Sequence, residues 1–423
     1  MSPVSRAPAA EPIPAIQQEI ARLAALPGVQ SAMEWFRDQE GQFTRWQLEV
    51  ARIAAPPFGE QARSDWLTEK FSAVGLRCIQ QDNLGNVFGS QSAIGDPCVS
   101  VSAHLDTVFP AGTVLDARQQ GQKLYGPSVS DNSAGITALL AVAAAVVRFR
   151  LSADGLSPAS SLLFIGNVGE EGEGDLRGMR YIFSDSQWKD AITASVVVDG
   201  AGTDTVVAEA LGSRRFEVIL RGPGGHSWSD FGAPNPVVAM ARAIQLFSQT
   251  QVSSSPKTTF NIGVIHGGTS VNSIPESATM RVDIRSTSAL EIERLELELR
   301  SAVEHAIEAE EIRASASHGS PSGSIEAKIV AIGNRPAGEL PPNARILQIT
   351  RAVDAHLGNT AHVQRASTDA NIPISLGREA IAIGAGGVGG GAHTLHEWFD
   401  TAGRELGLQR ILLIVLALAG TVK

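Results

Sequence analysis

Cys98-Val-Ser-Val-Ser-Ala-His104 is an apolar, strand-favouring run that ends on a histidine. Similar apolar runs come at residues 161–166 and 194–198, and a long stretch rich in alanine, valine and leucine at 133–150 predicts a helix. Strands that alternate with helices favour a mixed α/β fold with a largely parallel sheet flanked by helices. Such a sheet carries its functional groups at the carboxyl ends of its strands, which is where His104 stands.

The pattern changes near Gly212, and this change predicts a second domain. Residues 213–336 carry strand, helix, strand, strand, helix and strand patterns in that order, which is typical of a small α+β sandwich. The α/β pattern then resumes and runs to the end of the chain. We therefore expect one α/β domain in two parts, residues 13–212 and 337–423, with the sandwich inserted between them. Residues 1–12 are rich in proline and alanine and are expected to form a flexible tail.

Composition excludes several classes of protein. A chain of 423 residues suits two domains, and its net charge of −10 makes nucleic-acid binding a poor expectation. Two cysteines exclude a disulfide framework and a thiolate metal cluster, so a metal must sit on histidines and carboxylates. The apolar runs at 136–147 and 411–419 are too short to span a bilayer. The first residues lack the apolar core of a signal peptide, which predicts a cytoplasmic protein.

Strand-end acids and histidines are the candidates for chemistry. Asp106 stands two residues after His104 and could accept the second imidazole N–H, which fixes the tautomer of a ligand histidine. Asp131 comes just before the helix expected at 133–150, where it could cap the helix or bind a metal. Asp199 ends a third apolar run, and an Asp-Gly turn is the alternative to a ligand there.

Two further motifs complete the set. Glu170 and Glu171 are adjacent, and like charges packed together are unfavourable without a cation, so one could ligate a metal while the other serves as general base. A solvated acidic turn is the alternative. Later, His393 and His396 compete for a ligand role in a glycine-rich loop that runs to Glu397. Donors of these types suit Zn²⁺, Mn²⁺ or Co²⁺, and shared carboxylates favour a paired site.

The order of these motifs resembles the di-zinc metallopeptidase family that includes glutamate carboxypeptidase, aminoacylase, acetylornithine deacetylase, succinyl-diaminopimelate desuccinylase and tripeptidase T. The resemblance covers nearly the whole chain after the tail. It rests on His-x-Asp, an acid before a helix, Glu-Glu, a strand-end acid, and a late histidine four residues before a glutamate. The run Gly169-Glu-Glu-Gly-Glu-Gly-Asp-Leu-Arg-Gly178 looks most like the tripeptidase T branch.

The resemblance implies a role for each motif residue. It implies two metals with five ligands, namely His104 and Asp199 on one ion, Glu171 and His393 on the other, and Asp131 bridging both. Asp106 would orient the first histidine, and Glu170 would act as general base and later as acid. His396 would be a bystander, because the family ligand stands four residues before the glutamate.

The inserted segment resembles the family's lid and dimerisation domain, which implies a homodimer. His226, in Gly222-Pro-Gly-Gly-His226-Ser, matches the motif whose histidine reaches the active site of the partner subunit and stabilises the oxyanion. Asn272 and Arg285 lie in stretches that resemble the family's substrate contacts, and the two could hold a substrate carboxylate. For Arg285 a surface ion pair is the alternative.

The implied activity is hydrolysis of the amide bond of small peptides, with a metal-bridged water and a glutamate as general base. On the same site, the alternatives are an N-acyl amino acid deacylase and a glutamate-type carboxypeptidase, and a non-catalytic metal-binding scaffold is a more distant one. The expected cofactors are two divalent ions, zinc first, with manganese or cobalt as alternatives. The expected partner is a small peptide or acylated amino acid, not a nucleic acid or a membrane.

Overall fold

The computed structural model describes residues 13–91, 97–151, 156–158, 161–316 and 323–422. The flexible tail expected at residues 1–12 lies outside the described residues. The chain divides into two compact units, one formed by Met1–Ala210 with Glu339–Lys423 and the other by Leu211–Gly338.

In its described residues, the N-terminal part of the first unit contains six α-helices and nine strands. The helices are α1 (Pro14–Ala24), α2 (Pro27–Asp38), α3 (Glu40–Ala51), α4 (Gln61–Ala73), α5 (Ser133–Arg148) and α6 (Arg177–Ser184). The strands are β1 (Cys78–Gln81), β2 (Val87–Ser90), β3 (Cys98–His104), β4 (Arg118–Gln120), β5 (Lys123–Tyr125), β6 (Leu156–Pro158), β7 (Ser161–Asn167), β8 (Ile192–Val198) and β9 (Thr205–Ala210).

Where the structure describes it, the second unit contains an antiparallel sheet and two helices. Its elements are β10 (Gly212–Arg221), β11 (Gly225–His226), α7 (Pro236–Ser248), β12 (Thr259–Gly267), β13 (Ser273–Ile274), β14 (Ser277–Ser286), α8 (Ala289–Ser315) and β15 (Glu326–Arg335). The sheet has the order β12-β14-β10-β15. Alternate residues of β10 and β14 face inward, and Phe216 and Met280 pack in one apolar cluster with Phe247 of α7 and Leu299 of α8. The expected α+β sandwich is confirmed.

The rest of the chain completes the first unit. Its elements are β16 (Gly338–Glu339), α9 (Arg345–Leu357), β17 (His362–Ala366), α10 (Asn371–Ser375), β18 (Glu379–Ile383), β19 (Val388–Gly390), β20 (Trp398–Asp400), α11 (Arg404–Ala419) and β21 (Gly420–Val422). The main sheet has nine strands in the order β1-β2-β7-β3-β8-β18-β9-β16, with β17 also paired to β9. Strands β7, β3, β8 and β18 run parallel at its centre, so the expected largely parallel sheet is confirmed.

Two apolar helices pack into the core of this unit. Residues 133–146 of α5 and residues 410–419 of α11 are all buried. A helix that is apolar on every side must be surrounded by other elements, and both belong to the main apolar cluster with strand β3. Among the described residues, no helix is both long and apolar enough to cross a membrane.

The strand register places the candidate residues at the ends of neighbouring parallel strands. His104 pairs with Asn167 at the last position of β3 and β7, and β8 ends one residue before Asp199. A separate four-stranded sheet, in the order β19-β20-β5-β4, supplies two more loops. The loop after β5 carries Asp131, and the loop between β19 and β20 carries His393.

Candidate metal centre

Asp131 lies between two histidines and faces each with a different carboxylate oxygen. Its Oδ1 is 3.1 Å from His104 Nε2, and its Oδ2 is 3.0 Å from His393 Nε2. Asp199 Oδ1 lies 3.6 Å from the first histidine nitrogen, and Glu171 Oε1 lies 2.9 Å from the second. The structure therefore brings all five of the proposed ligands together, in two groups of three that share Asp131.

The donor chemistry of these groups fits divalent metal ions. Within each group the possible ligand atoms lie within 4.8 Å of one another. Imidazole nitrogens and carboxylate oxygens without thiolate suit zinc, manganese or cobalt, and one carboxylate with an oxygen toward each group suits a pair of ions. Glu170 is also close, because it forms a third such group with His104 and Glu171.

The helix cap lies one residue after Asp131. Asn132 is the N-cap of α5, and its Oδ1 accepts hydrogen bonds from the N–H of Gly135 and of Gly200, each at 3.1 Å. Its Nδ2 donates to the carbonyl oxygen of Val198 at 2.9 Å. A Cβ on Gly135 would lie only 2.1 Å from Asn132 Oδ1, so the close approach requires glycine there. The capping role considered for Asp131 is therefore wrong, and its carboxylate faces the histidines instead.

Glu397 supports the loop that carries Asp131. In the sequence motif it served only to locate the ligand histidine four residues earlier. Its side chain is fully buried and accepts backbone N–H bonds from Ser128 at 3.0 Å and from Ser130 and Asp131 at 2.7 Å each. Burial raises the pKa of this carboxyl to about 7, against the lowering effect of these N–H donors. Gly126 N–H also bonds to the Glu397 carbonyl at 3.0 Å, so the backbone and the side chain of the residue just before β20 both hold the Asp131 loop.

Asp106 connects the first histidine to the paired glutamates. The Oδ1 and Oδ2 atoms of this buried carboxylate accept the N–H groups of Glu170 at 2.9 Å and Glu171 at 2.7 Å. The nearest partner of His104 Nδ1 is the backbone carbonyl of Asp106 at 3.1 Å, and the carboxylate Oδ1 is 3.6 Å away. Asp106 thus holds both the imidazole and the loop that follows β7.

Arg63 is a fully buried cation beneath the centre, and no sequence motif pointed to it. Its guanidinium donates to the carbonyls of Ile53 and Leu105 at 3.0 Å each and to Ser128 Oγ at 3.1 Å. Burial lowers its pKa to about 10, against the raising effect of the nearby Asp106, Glu397 and Asp131 charges. The arginine ties the His104 strand end to the Asp131 loop and balances part of the acidic charge.

Protons and metal ions would compete for the two histidines. Burial works to lower the pKa of His104, but hydrogen bonds with Asp106, Asp131 and Asp199 outweigh it and hold this pKa well above its ordinary value. Hydrogen bonds with Asp131 and Glu171 raise the pKa of His393 to about 10. The same contacts, against burial, hold the pKa of Asp131 below its usual range. Without a metal, positive charge on the imidazoles offsets the carboxylates.

Asp369 is a buried acid that the sequence did not single out. It is fully buried, and its Oδ2 accepts a 2.5 Å hydrogen bond from Nδ2 of Asn167, the residue that ends β7 beside His104. Burial raises its pKa to about 7, and the charges of Asp106 and Asp199 act in the same direction. Asp369 therefore lies behind the centre, within the electrostatic reach of its carboxylates.

The three expected substrate contacts lie in the second unit. His226 is exposed, its N–H donates to Asp230 Oδ2 at 2.7 Å, and its Nδ1 accepts the Trp228 N–H at 3.1 Å. Arg285 Nε pairs with Asp283 Oδ2 at 2.6 Å, which is the ion pair considered as its alternative role. Asn272 Oδ1 accepts a hydrogen bond from Ser270 Oγ.

Two family models match overlapping parts of the chain. The model of peptidase family M28 matches residues 86–215, and that of a peptidase dimerisation domain matches residues 209–311. The first match contains four of the five proposed ligands and ends before His393.

Curated relatives are similar over part of their length. The chain is 30% identical to a probable carboxypeptidase of Aspergillus clavatus over 253 residues, which are 54% of each protein. It is 27% identical to succinyl-diaminopimelate desuccinylase of Rickettsia bellii over 222 residues, 49% of this chain and 54% of that protein. The chain spans about half the length of the curated relatives it matches.

Solved structures match almost the whole fold. Aminopeptidase PepT from Bacillus cereus superposes with a TM-score of 0.69 at 18% identity, over 90% of this chain and 99% of that one. The YXEP protein of Bacillus subtilis, described as a dinuclear metal binding peptidase, superposes with a TM-score of 0.60 at 14% identity, over 90% and 99% of the chains. At these identities the likeness shows the fold. Together with the sequence relatives, it confirms the resemblance of this chain to the di-zinc metallopeptidase family.

Proposed function

We propose that this protein is a metal-dependent hydrolase of the amide bond of small peptides. The observation that carries the proposal is the position of Asp131, which offers one oxygen to the His104 group and the other to the His393 group. Among its relatives are a probable carboxypeptidase and a succinyl-diaminopimelate desuccinylase, and both names denote the removal of a group from a larger molecule. A carboxylate shared by two histidine-bearing groups suits a pair of catalytic cations.

The proposed cofactors are two divalent ions, zinc first and manganese or cobalt as alternatives. His104, Asp131 and Asp199 would hold one ion, and Asp131, Glu171 and His393 the other. Metal ions bound there would supply a water nucleophile at neutral pH and polarise the amide carbonyl. Support comes from the donor types and from the dinuclear description of one protein with the same fold.

Glu170 is the proposed general base. Its backbone is fixed by Asp106, and its side chain is buried beside His104 and Glu171, which places a carboxylate at the centre in addition to the ligands. Glu170 would take a proton from water as the water oxygen bonds to the carbonyl carbon. It would then deliver that proton to the amide nitrogen as the C–N bond breaks, which balances the hydrolysis.

The second unit is proposed to pair with a second copy of the chain. The match to a peptidase dimerisation domain over residues 209–311 supports this pairing. In the dimer, His226 would stabilise the oxyanion of the other copy's substrate, and Asn272 and Arg285 would hold a substrate carboxylate. Arg285 would have to exchange its bond to Asp283 for the substrate.

Hydrolysis of an acylated amino acid or of a C-terminal residue is the second candidate. The names of the carboxypeptidase and desuccinylase relatives favour it, and the same centre serves both reactions. Tripeptides, N-acyl amino acids and C-terminal glutamate conjugates, offered to the protein loaded with Zn²⁺, Mn²⁺ or Co²⁺, separate the candidates.

The test of the base is the Glu170→Gln variant. We expect turnover to fall by at least 100-fold while the metal content stays at the wild-type value, because the residue moves a proton and holds no ion. Loss of metal together with activity would place Glu170 among the ligands. Glu173→Gln, three residues along the same loop, is the matched control and should keep both.

A further inference from the structure

A cavity of about 820 Å³ adjoins the proposed metal centre in the first unit. Its walls come from the segment after β3 and from the His393 loop, and they consist of Val108, Phe109, Pro110, Thr113, Val114, His393, Thr394 and Leu395. The volume lies within the range of small-molecule sites, roughly 300–1,000 Å³. His393 belongs both to this wall and to the Asp131 and Glu171 group, so the cavity opens beside the centre.

The walls are mainly apolar, and the hydroxyl groups of their two threonines are already bonded. Thr113 Oγ1 donates to the Pro110 carbonyl at 2.8 Å, and Thr394 Oγ1 donates to the Gly391 carbonyl at 2.7 Å. Apart from His393, none of these lining residues, all of them in the described part of the chain, has an ionisable side chain. Away from His393, a charged group placed here would lose water without gaining a charged partner.

Large apolar side chains are exposed on both sides of the cavity. Val114 is 80% exposed and Leu395 is 60% exposed, while Phe109 is 7% exposed and forms part of the wall. Exposed apolar surface beside a reactive centre marks a binding site for an apolar group. His393 and Leu395, two residues apart, line the same cavity.

We propose that this cavity holds an uncharged apolar group of the substrate, a branched aliphatic or aromatic side chain or acyl group next to the cleaved amide. This inference rests on the proposed function and adds the substrate class to it. Leu395 and Val114 act as specificity residues by covering that group, and the carboxylate-bearing end of a substrate lies elsewhere.

The experiment measures kcat/KM for two series of amides cleaved by the zinc-loaded protein. One series varies the group on the carbonyl side and the other the group on the nitrogen side, through methyl, isobutyl, benzyl, carboxyethyl and aminobutyl. In one series we expect kcat/KM to rise roughly fourfold per buried methylene. Isobutyl and benzyl should exceed carboxyethyl at least tenfold. Equal values for all groups in both series would overturn the inference.

Variants test the wall itself. Leu395→Asp should reduce the ratio of kcat/KM for isobutyl over aminobutyl at least tenfold. The variant loses apolar contact with isobutyl, and its carboxylate can pair with the ammonium of aminobutyl. Val114→Asp should act in the same direction. Leu376→Asp is the matched control, because Leu376 is 55% exposed and lies outside the cavity. An unchanged preference in Leu395→Asp and Val114→Asp would also overturn the inference.

A binding measurement separates this inference from the proposed function. Hydroxamates with the same five groups are titrated calorimetrically into the zinc-loaded protein and into Leu395→Asp. Tighter binding of isobutyl and benzyl that Leu395→Asp removes, without cleavage of any amide, would support the cavity and refute the hydrolase. Cleavage without any apolar preference would support the hydrolase and refute the cavity. Neither cleavage nor apolar preference would refute both.

Discussion

Glu397 holds the backbone of Asp131 through a 2.7 Å hydrogen bond from the Asp131 N–H to its Oε1. The same carboxylate accepts the N–H groups of Ser128 and Ser130. One buried side chain therefore holds the backbone of residues 128–131. The late glutamate of the His393 motif is therefore a support for a carboxylate more than 260 residues earlier in the chain.

Replacing Glu397 with Gln should destabilise the protein by about 2–4 kcal/mol, because the amide NH₂ meets backbone donors and leaves at least one buried N–H without an acceptor. Urea unfolding measures the loss. Glu69→Gln on the exposed side of α4 is the control and should change stability by less than about 0.5 kcal/mol. A loss in Glu397→Gln as small as in the control would contradict the supporting role.

Removing the buried cation of Arg63 should destabilise the protein more than Glu397→Gln does. We expect Arg63→Met to cost about 3–5 kcal/mol, since it leaves two carbonyls without their donor and the nearby acids without their counter-charge. Arg63→Lys keeps the charge but cannot reach all three acceptors, so it should recover only part of the loss. Thermal and urea unfolding of both variants provide the measurement, and equal stability of the two variants would show that charge has no part in the effect.

The cap of α5 gives a third test. Asn132→Ala removes an N-cap and the bonds to Gly200 and Val198, and should cost about 2–3 kcal/mol. Asn235→Ala at the start of α7 removes a cap alone and should cost about 1 kcal/mol. Circular dichroism during urea unfolding compares them. A smaller loss at Asn132 than at Asn235 would contradict the bonding described for α5.

Stability without metal should fall as the pH rises. The pKa of His393 is raised from 6.5 to about 10, so its contribution is full below pH 6.5 and is lost as the pH rises through 10. The pKa of Glu397 is raised from 4.5 to about 7, so its contribution is full below pH 4.5 and is lost through pH 7. Both raised values therefore predict a lower Tm at pH 9 than at pH 6 in the metal-free protein.

Added zinc should oppose this loss of stability at high pH, because fewer protons then compete with the metal for the histidines. The increase in Tm on adding zinc should thus be larger at pH 9 than at pH 6. Differential scanning fluorimetry with chelator or with metal measures both effects. A metal-free Tm that rises with pH, together with a zinc effect that shrinks, would contradict the assignment of these contacts.

The sequence indicated the α/β class and the strand-end residues because both depend on local pattern. Strand β3 is buried along its whole length, and His104 comes at its last position. The supports behind the centre could not be found in this way. Arg63 lies on a helix among ordinary polar residues, and its partners come from three separate segments.

Asp131 shows the limit of local reasoning. An acid before a helix fits both a cap and a ligand, and the deciding fact is that Asn132 makes the cap. Asp369 has no motif at all, because its burial arises only when the segment after β17 packs beside Asn167 of β7. Residues defined by tertiary packing leave no periodic signal in the chain.

Metal stoichiometry tests the central claim most directly. The wild-type protein, loaded with zinc and dialysed, should carry two ions per chain by native mass spectrometry, and Asp131→Asn and Asp131→Ala should lose affinity for both ions at least tenfold. Asp116→Ala, at an exposed acid, should keep two ions. A single ion in the wild-type protein, or two tightly held ions in folded Asp131→Asn and Asp131→Ala, would contradict a centre built on a shared Asp131.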